Sequence, residues 1–206
     1  AFLVAAPVGL VFGFTLVVAD ENAALSNWGT RNGWRPSAAL GGSPGATDPA
    51  PPPRPAVVIN EALTHADSDL MSGDAIELYN PTEAAANISG WFLTDDFDAP
   101  KKFRIPDNTI LSAGSYLVFT EADFNPNPGV FPSFALSARG EEVYLLSGDA
   151  EANLTGYAHG FAFGAQASGV TFGRYVISSG EEHFVAQRIP TLGTNNAGPL
   201  VGPVVI

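Results

Sequence analysis

The chain has 206 residues, 46% of them hydrophobic and only 15% charged, which excludes disorder along its whole length. A net charge of −12 argues against a phosphate-backbone partner, because nucleic acid needs clustered Lys and Arg. The absence of Cys excludes disulfides, Cys-ligated zinc and thiol nucleophiles. With 22 Gly, 17 Pro and 14 Phe, the composition favours short strands joined by tight turns.

Residues 1–19 carry no charge, yet they do not read as a membrane helix. Pro7, Gly9 and Gly13 interrupt the run, no Lys or Arg flanks it, and Phe14-Thr15-Leu16-Val17-Val18 is β-forming. The prediction is a strand over 11–19, the polar turn Asp20-Glu21-Asn22, and a Gly/Asn-rich segment between Trp28 and Trp34. Residues 1–45 are expected to be the C-terminal remnant of a preceding β domain. Residues 46–56, with Pro51-Pro52-Pro53-Arg54-Pro55, form a stiff linker of polyproline II type.

Residues 57–198 are expected to be one β-sandwich. Strands are predicted over 57–63, 76–79, 91–94, 101–105, 115–120, 134–137, 142–147, 156–163, 171–176 and 183–187. A short strand is expected between the turns Asn80-Pro81-Thr82-Glu83 and Asn87-Ile88-Ser89-Gly90, where Gly90 is free to take positive φ. Residues 64–73 and 121–132 read as loops. No stretch shows a sustained 3.6-residue period, so any helix is expected to be short. Residues 199–206 are expected to be the first strand of a following unit or a tail, and the resemblance of Pro203-Val204-Val205-Ile206 to Pro55-Ala56-Val57-Val58-Ile59 favours the following unit. On that reading the sequence comes from a tandem array.

Little of the sequence reads as catalytic. There is no Gly-x-Ser-x-Gly elbow and no phosphate-cradling loop, and His65, His159 and His183 lack triad or zinc spacing. Carboxylates are the live question. Asp67, Asp69 and Asp74 fall in one loop, and Asp95, Asp96 and Asp98 in another. Calcium takes six to eight oxygens from such loops, although the spacing is not that of an EF-hand. Solvated acidic loops account for the same residues, as for Asp123. Glu61 and Glu77 lie within apolar strands. As a pair they resemble a general acid and base. Alternation instead puts Glu77 on a wet face, and a carboxylate at a sheet edge could take backbone N–H groups or pair with Arg104 or Arg174. Aromatics at alternate positions read as core, with a sugar-binding platform as the other use. Asn87-Ile88-Ser89 and Asn153-Leu154-Thr155 fit the glycosylation sequon.

Several spaced motifs recur in the order seen in a known family. They are Ile59-Asn60-Glu61, Ile76-Glu77-Leu78-Tyr79-Asn80-Pro81, Ser89-Gly90-Trp91-Phe92-Leu93-Thr94-Asp95-Asp96, Lys102-Phe103-Arg104-Ile105-Pro106 and Ser112-Ala113-Gly114-Ser115-Tyr116-Leu117-Val118-Phe119. Phe134-Ala135-Leu136-Ser137, Gly140-Glu141-Glu142-Val143-Tyr144-Leu145-Leu146 and Phe172-Gly173-Arg174-Tyr175 continue the series. Together they resemble bacterial lamin tail domains. The resemblance implies an all-β, immunoglobulin-like antiparallel sandwich with an interaction role, as one module of a larger secreted or cell-surface protein. It supplies no ligand and no catalytic set. The expected function is therefore a non-enzymatic structural or adhesive module whose partners are other protein domains or copies of itself. Neither nucleic acid nor membrane insertion is expected. The alternative is a calcium- or carbohydrate-binding module appended to a secreted hydrolase.

Overall fold

The computed structural model describes residues 14–30, 33–50, 55–64 and 73–202. Within them the chain forms the expected immunoglobulin-like β-sandwich, built from antiparallel pairings. In chain order the strands are β1 (Phe14–Val18), β2 (Trp34–Leu40), β3 (Val58–Leu63), β4 (Ala75–Tyr79), β5 (Ala86–Asn87), β6 (Phe92–Thr94) and β7 (Phe103–Arg104). They continue as β8 (Ile110–Leu111), β9 (Tyr116–Thr120), β10 (Gly140–Gly148), β11 (Leu154–Gly164), β12 (Thr171–Val176) and β13 (Glu182–Ala186). The two helices, α1 (Leu25–Trp28) and α2 (Glu121–Phe124), are each a single turn. No helix among the described residues is long and apolar enough to cross a membrane.

One sheet runs β13-β12-β3-β4-β9 and the other β11-β10-β6-β7, with β5-β8 as a small separate pair. Alternation fills the space between the sheets. Ile59, Ala62, Ile76, Leu78, Phe119 and Phe172 face inward from one side, and Leu93, Val143, Leu145, Phe161 and Phe163 from the other. Burying each large side chain contributes about 1.5–3 kcal/mol, so this layer is the main source of stability. The stacked rings of Phe124 and Phe134, 4.8 Å apart, join the same core.

Residues 134–137 are not a strand, contrary to the pattern. Phe134 and Leu136 are buried as expected, but their N–H groups go to the Phe124 carbonyl (3.2 Å) and the Asp74 carboxylate (2.5 Å) rather than to a ladder. Apolar alternation therefore marks burial here without marking a strand. β2 is the opposite case: Trp34–Leu40 pairs with β1 although Pro36 lies within it, which an edge strand tolerates. Phe14 of β1 is buried, with its ring over Gly156 of β11. The portion of the predicted first strand before Phe14, linker residues 51–54 and residues 203–206 lie outside the described residues. Residues 198–200 run antiparallel along the end of β13, with Leu200 N–H on the Ala186 carbonyl at 2.7 Å and Gln187 bridged to Pro199.

Asn80 ends β4 and organises two turns at once. It is fully buried. Its amide donates to the carbonyls of Ala84 (2.8 Å), Leu111 (3.0 Å) and Ser112 (3.2 Å), while its Oδ1 accepts from the Thr82 N–H and hydroxyl. Its backbone bonds Ser115 and Gly114 ahead of β9. Gly90 takes φ 76° at the next turn, as its place after Ser89 predicts. Because Asn80→Ala strands several buried polar groups at once, it should cost about 3 kcal/mol. A urea unfolding midpoint unchanged from wild type would refute that role.

Candidate functional site

The five-stranded sheet comes apart at one end, and the polar groups exposed by that split are gathered there. β12 pairs with β3 only over Thr171–Leu63, Phe172–Ala62 and Gly173–Glu61. On the other side of β3, Ile59 faces Leu78 and Glu61 faces Glu77, so Asn60 is an extra, bulged residue. The bulge turns both Asn60 and Glu61 to the outer face while Ile59 and Ala62 stay in the core. Backbone groups left without a ladder partner are then met by side chains. Asn196 Nδ2 donates to the carbonyls of Asn60 (3.1 Å) and Arg174 (2.8 Å). The Ile59 N–H donates to His159 Nδ1 (3.0 Å), and the Tyr157 hydroxyl donates to the Val57 carbonyl (2.8 Å).

Glu61 and Glu77 stand directly opposite each other and both are 0% exposed. The expectation of a wet Glu77 is corrected here: the residue does face outward, but segment 191–196 lies across it. Glu61 accepts from the Thr171 hydroxyl (2.5 Å), the Thr191 N–H (2.9 Å) and the Thr191 hydroxyl (2.6 Å). Glu77 accepts from the Asn60 amide (2.7 Å) and from the Gly193 N–H. Burial pushes the Glu77 carboxyl up to about 7. The Asn60 and Gly193 bonds pull against this rise, and the Glu61 charge adds to it. Neither carboxylate takes the arginine partner considered for it, because Arg104 pairs with Asp107 (3.0 Å) and Arg174 with Glu182 (2.5 Å). Sealed from solvent, the pair holds the covering segment in place and offers no open face to a substrate.

His159 is occupied at both nitrogens. Its Nδ1 accepts a backbone N–H, so the proton of the neutral ring sits on Nε2, 3.2 Å from Glu182 Oε2. Arg174 Nε holds the other Glu182 oxygen at 2.6 Å. The His159 bond and then the Arg174 guanidinium bring the Glu182 carboxyl down to about 2. This chain ties β12 and β13 to the edge of the opposite sheet and leaves no nitrogen to activate a nucleophile. Beside it, β11 and β13 border a cleft of about 680 Å³ that reaches the stacked rings of Phe161 and Phe184, 3.7 Å apart. A smaller groove of about 410 Å³ is lined by Tyr79, Tyr116, Tyr175, Asn60 and Asn196.

The predicted calcium residues have other partners. Asp95 pairs with Lys102 at 2.6 Å, and Asp96 lies 3.9 Å from the same ammonium. The Asp96 carboxylate accepts the Asp98 N–H (2.9 Å), and Asp74 is buried with the Leu136 N–H on its Oδ2. Asp67 and Asp69 lie outside the described residues. Among the described residues no group of three or more His, Asp or Glu could hold a metal ion. Asp123 caps α2 by accepting from the Thr120 N–H and hydroxyl. Sequence reasoning missed the roles of Thr171, Glu182, Thr191 and Asn196, which act across 100 or more residues or across neighbouring strands and leave no local signature.

A model of the Lamin Tail Domain matches residues 50–159, from within the linker to His159. It therefore includes Asn60, Glu61, Glu77 and Asn80. No curated protein and no solved structure matches the chain.

A carboxyl whose value is raised by folding binds its proton more tightly in the native state. Its contribution to stability thus falls as pH climbs from 4.5 to about 7. Glu141, also raised to about 7 by burial, has the same sign and is common to both proteins in a comparison with Glu77→Gln. Between about pH 5 and about 8, the unfolding midpoint of Glu77→Gln should decline less than that of wild type. Parallel pH profiles would show that Glu77 keeps an ordinary titration.

Proposed function

The chain belongs to the lamin tail domain family, and on that premise we propose that it is a non-enzymatic structural or adhesive module of an extracellular, multidomain or self-assembling bacterial surface protein. The observation that carries the interaction role is the edge formed where residues 198–200 run along β13. Leu200 (49% exposed), Val201 (73%) and Ile189 (58%) flank that edge, so apolar side chains lie beside backbone groups at a sheet margin. Strand addition uses this combination, with main-chain bonds giving affinity and flanking side chains giving choice of partner. A second copy of the module is the partner proposed. The likeness of Pro203-Val204-Val205-Ile206 to Pro55-Ala56-Val57-Val58-Ile59 supports units in series, with 1–45 closing one unit and 199–206 leading to the next. A non-catalytic role is in keeping with the occupied nitrogens of His159 and the sealed carboxylate pair.

One feature favours a second reading. In the smaller groove the rings of Tyr79 and Tyr116 stack at 4.7 Å beside Asn60, Asn195 and Asn196, a mixture of aromatic faces and amides suited to a neutral sugar.

Sedimentation velocity across a concentration series distinguishes the two. Self-association that weakens in Leu200→Lys with Val201→Lys supports the edge. A monomer at every concentration, combined with retention on a glycan that Tyr175→Ala abolishes, would replace the first reading with the second.

A further inference from the structure

Gln187 is 1% exposed, and neither its Oε1 nor its Nε2 has a hydrogen-bond partner. The only other such atom among the described residues is the Trp28 indole nitrogen. A buried primary amide without partners forfeits its hydration with nothing in return, and so calls for a reason. Its surroundings supply one. The Gln187 N–H donates to the Thr171 carbonyl at 2.8 Å, which puts the two residues side by side on adjacent strands. The Gln187 amide lies over Gly173: a Cβ at that position would fall 2.1 Å from Nε2 and 2.4 Å from Cδ. Gly173 is in turn paired with Glu61. Thr171 is fully buried and its hydroxyl donates to Glu61 Oε1 at 2.5 Å.

A hydroxyl with a carboxylate in contact with it, and a carboxamide lying over the neighbouring Gly173, thus share the outer face of β3, β12 and the chain just after β13. We propose that Thr171 and Gln187 react to form an ester that joins β12 covalently to the chain just after β13. Glu61 takes the hydroxyl proton as Thr171 Oγ1 bonds to Gln187 Cδ. The Cδ–Nε2 bond then breaks, Glu61 returns the proton to the departing nitrogen, and ammonia leaves. One C–O bond replaces one C–N bond, with no oxidant, metal or further reactant. A carboxylate already bonded to the hydroxyl is the arrangement needed to activate a weak nucleophile. The strand pairing holds the reactants together. The burial of all three side chains keeps out the water that would hydrolyse the product. Thr191 is a positioning residue, its N–H and hydroxyl fixing the orientation of Glu61. Gly173 is required because any side chain there would displace the amide. The inference does not depend on the proposed interaction role.

Intact-mass spectrometry of the full chain after prolonged incubation of the folded protein tests this directly. The expected mass is that of the sequence less one ammonia. Tandem spectra should show the Thr171 and Gln187 peptides linked, and alkaline hydroxylamine should separate them. Thr171→Ser should keep the deficit and Thr171→Val should abolish it. A mass readout stands whatever the stability of either variant. An undiminished wild-type mass would overturn the proposal and leave Gln187 as a site for a buried water. So would a deficit that persists in Thr171→Val, or one that maps to Asn32-Gly33, where ring closure also releases ammonia.

Discussion

Backbone hydrogen bonding at the split between β3 and β12 is the constraint on which this end of the molecule depends. An extra residue at Asn60 shifts the register of β3 against β4, and β12 leaves the ladder at the adjoining pair, Gly173–Glu61. Each group freed by that departure is buried or nearly so, and an unmet one would cost as much as a lost core contact. Tyr157 and His159 of β11 and Asn196 of the C-terminal segment answer it from two distant parts of the chain. The C-terminal segment is fixed in place because it supplies Asn196. Its passage over the sheet is what turns Glu61 and Glu77 from surface residues into buried ones.

The charged groups follow from the same geometry. Glu182 can stay ionised beside the cleft because Arg174 and His159 both donate to it. Glu77 has only neutral donors and a like charge across the ladder, so burial dominates its titration. Two carboxylates on opposite faces of the sheet are thus held in opposite ways: Glu182 by a cation and an imidazole, Glu77 by amides. Glu77, met by the Asn60 amide and the Gly193 N–H, is thereby suited to fixing the chain segment that covers it.

The strands were legible because their apolar residues alternate and their turns carry Asn, Pro and Gly; β4, the turn at Asn80 and β6 follow the pattern closely. The same signal overreached at Phe134 and Leu136, which are buried without laddering. It also gave the right face but the wrong solvation for Glu77. Alternation reports which side a residue faces, whereas burial depends on what later crosses that side, here Gly193. The pairing of Asp95 with Lys102 was invisible for a related reason: a cluster of aspartates reads the same whether a metal ion or an ammonium neutralises it. Asn60 was legible as a motif residue, but its bulge was not, since a bulge is defined by the partner strand's register.

The bonds that close the C-terminal segment span long stretches of sequence: Glu61 to Thr191 is 130 residues and Glu77 to Gly193 is 116. A ribosome releasing this chain from its N-terminus delivers both carboxylates long before the Thr191 and Gly193 donors that close over them. Until Gly193 has emerged, β3 and β4 can assemble only with that face in water, and drying it must be among the last events of folding. A nascent chain stalled before residue 191 would hold most of the hydrophobic layer and still present two hydrated acids where the finished protein has none.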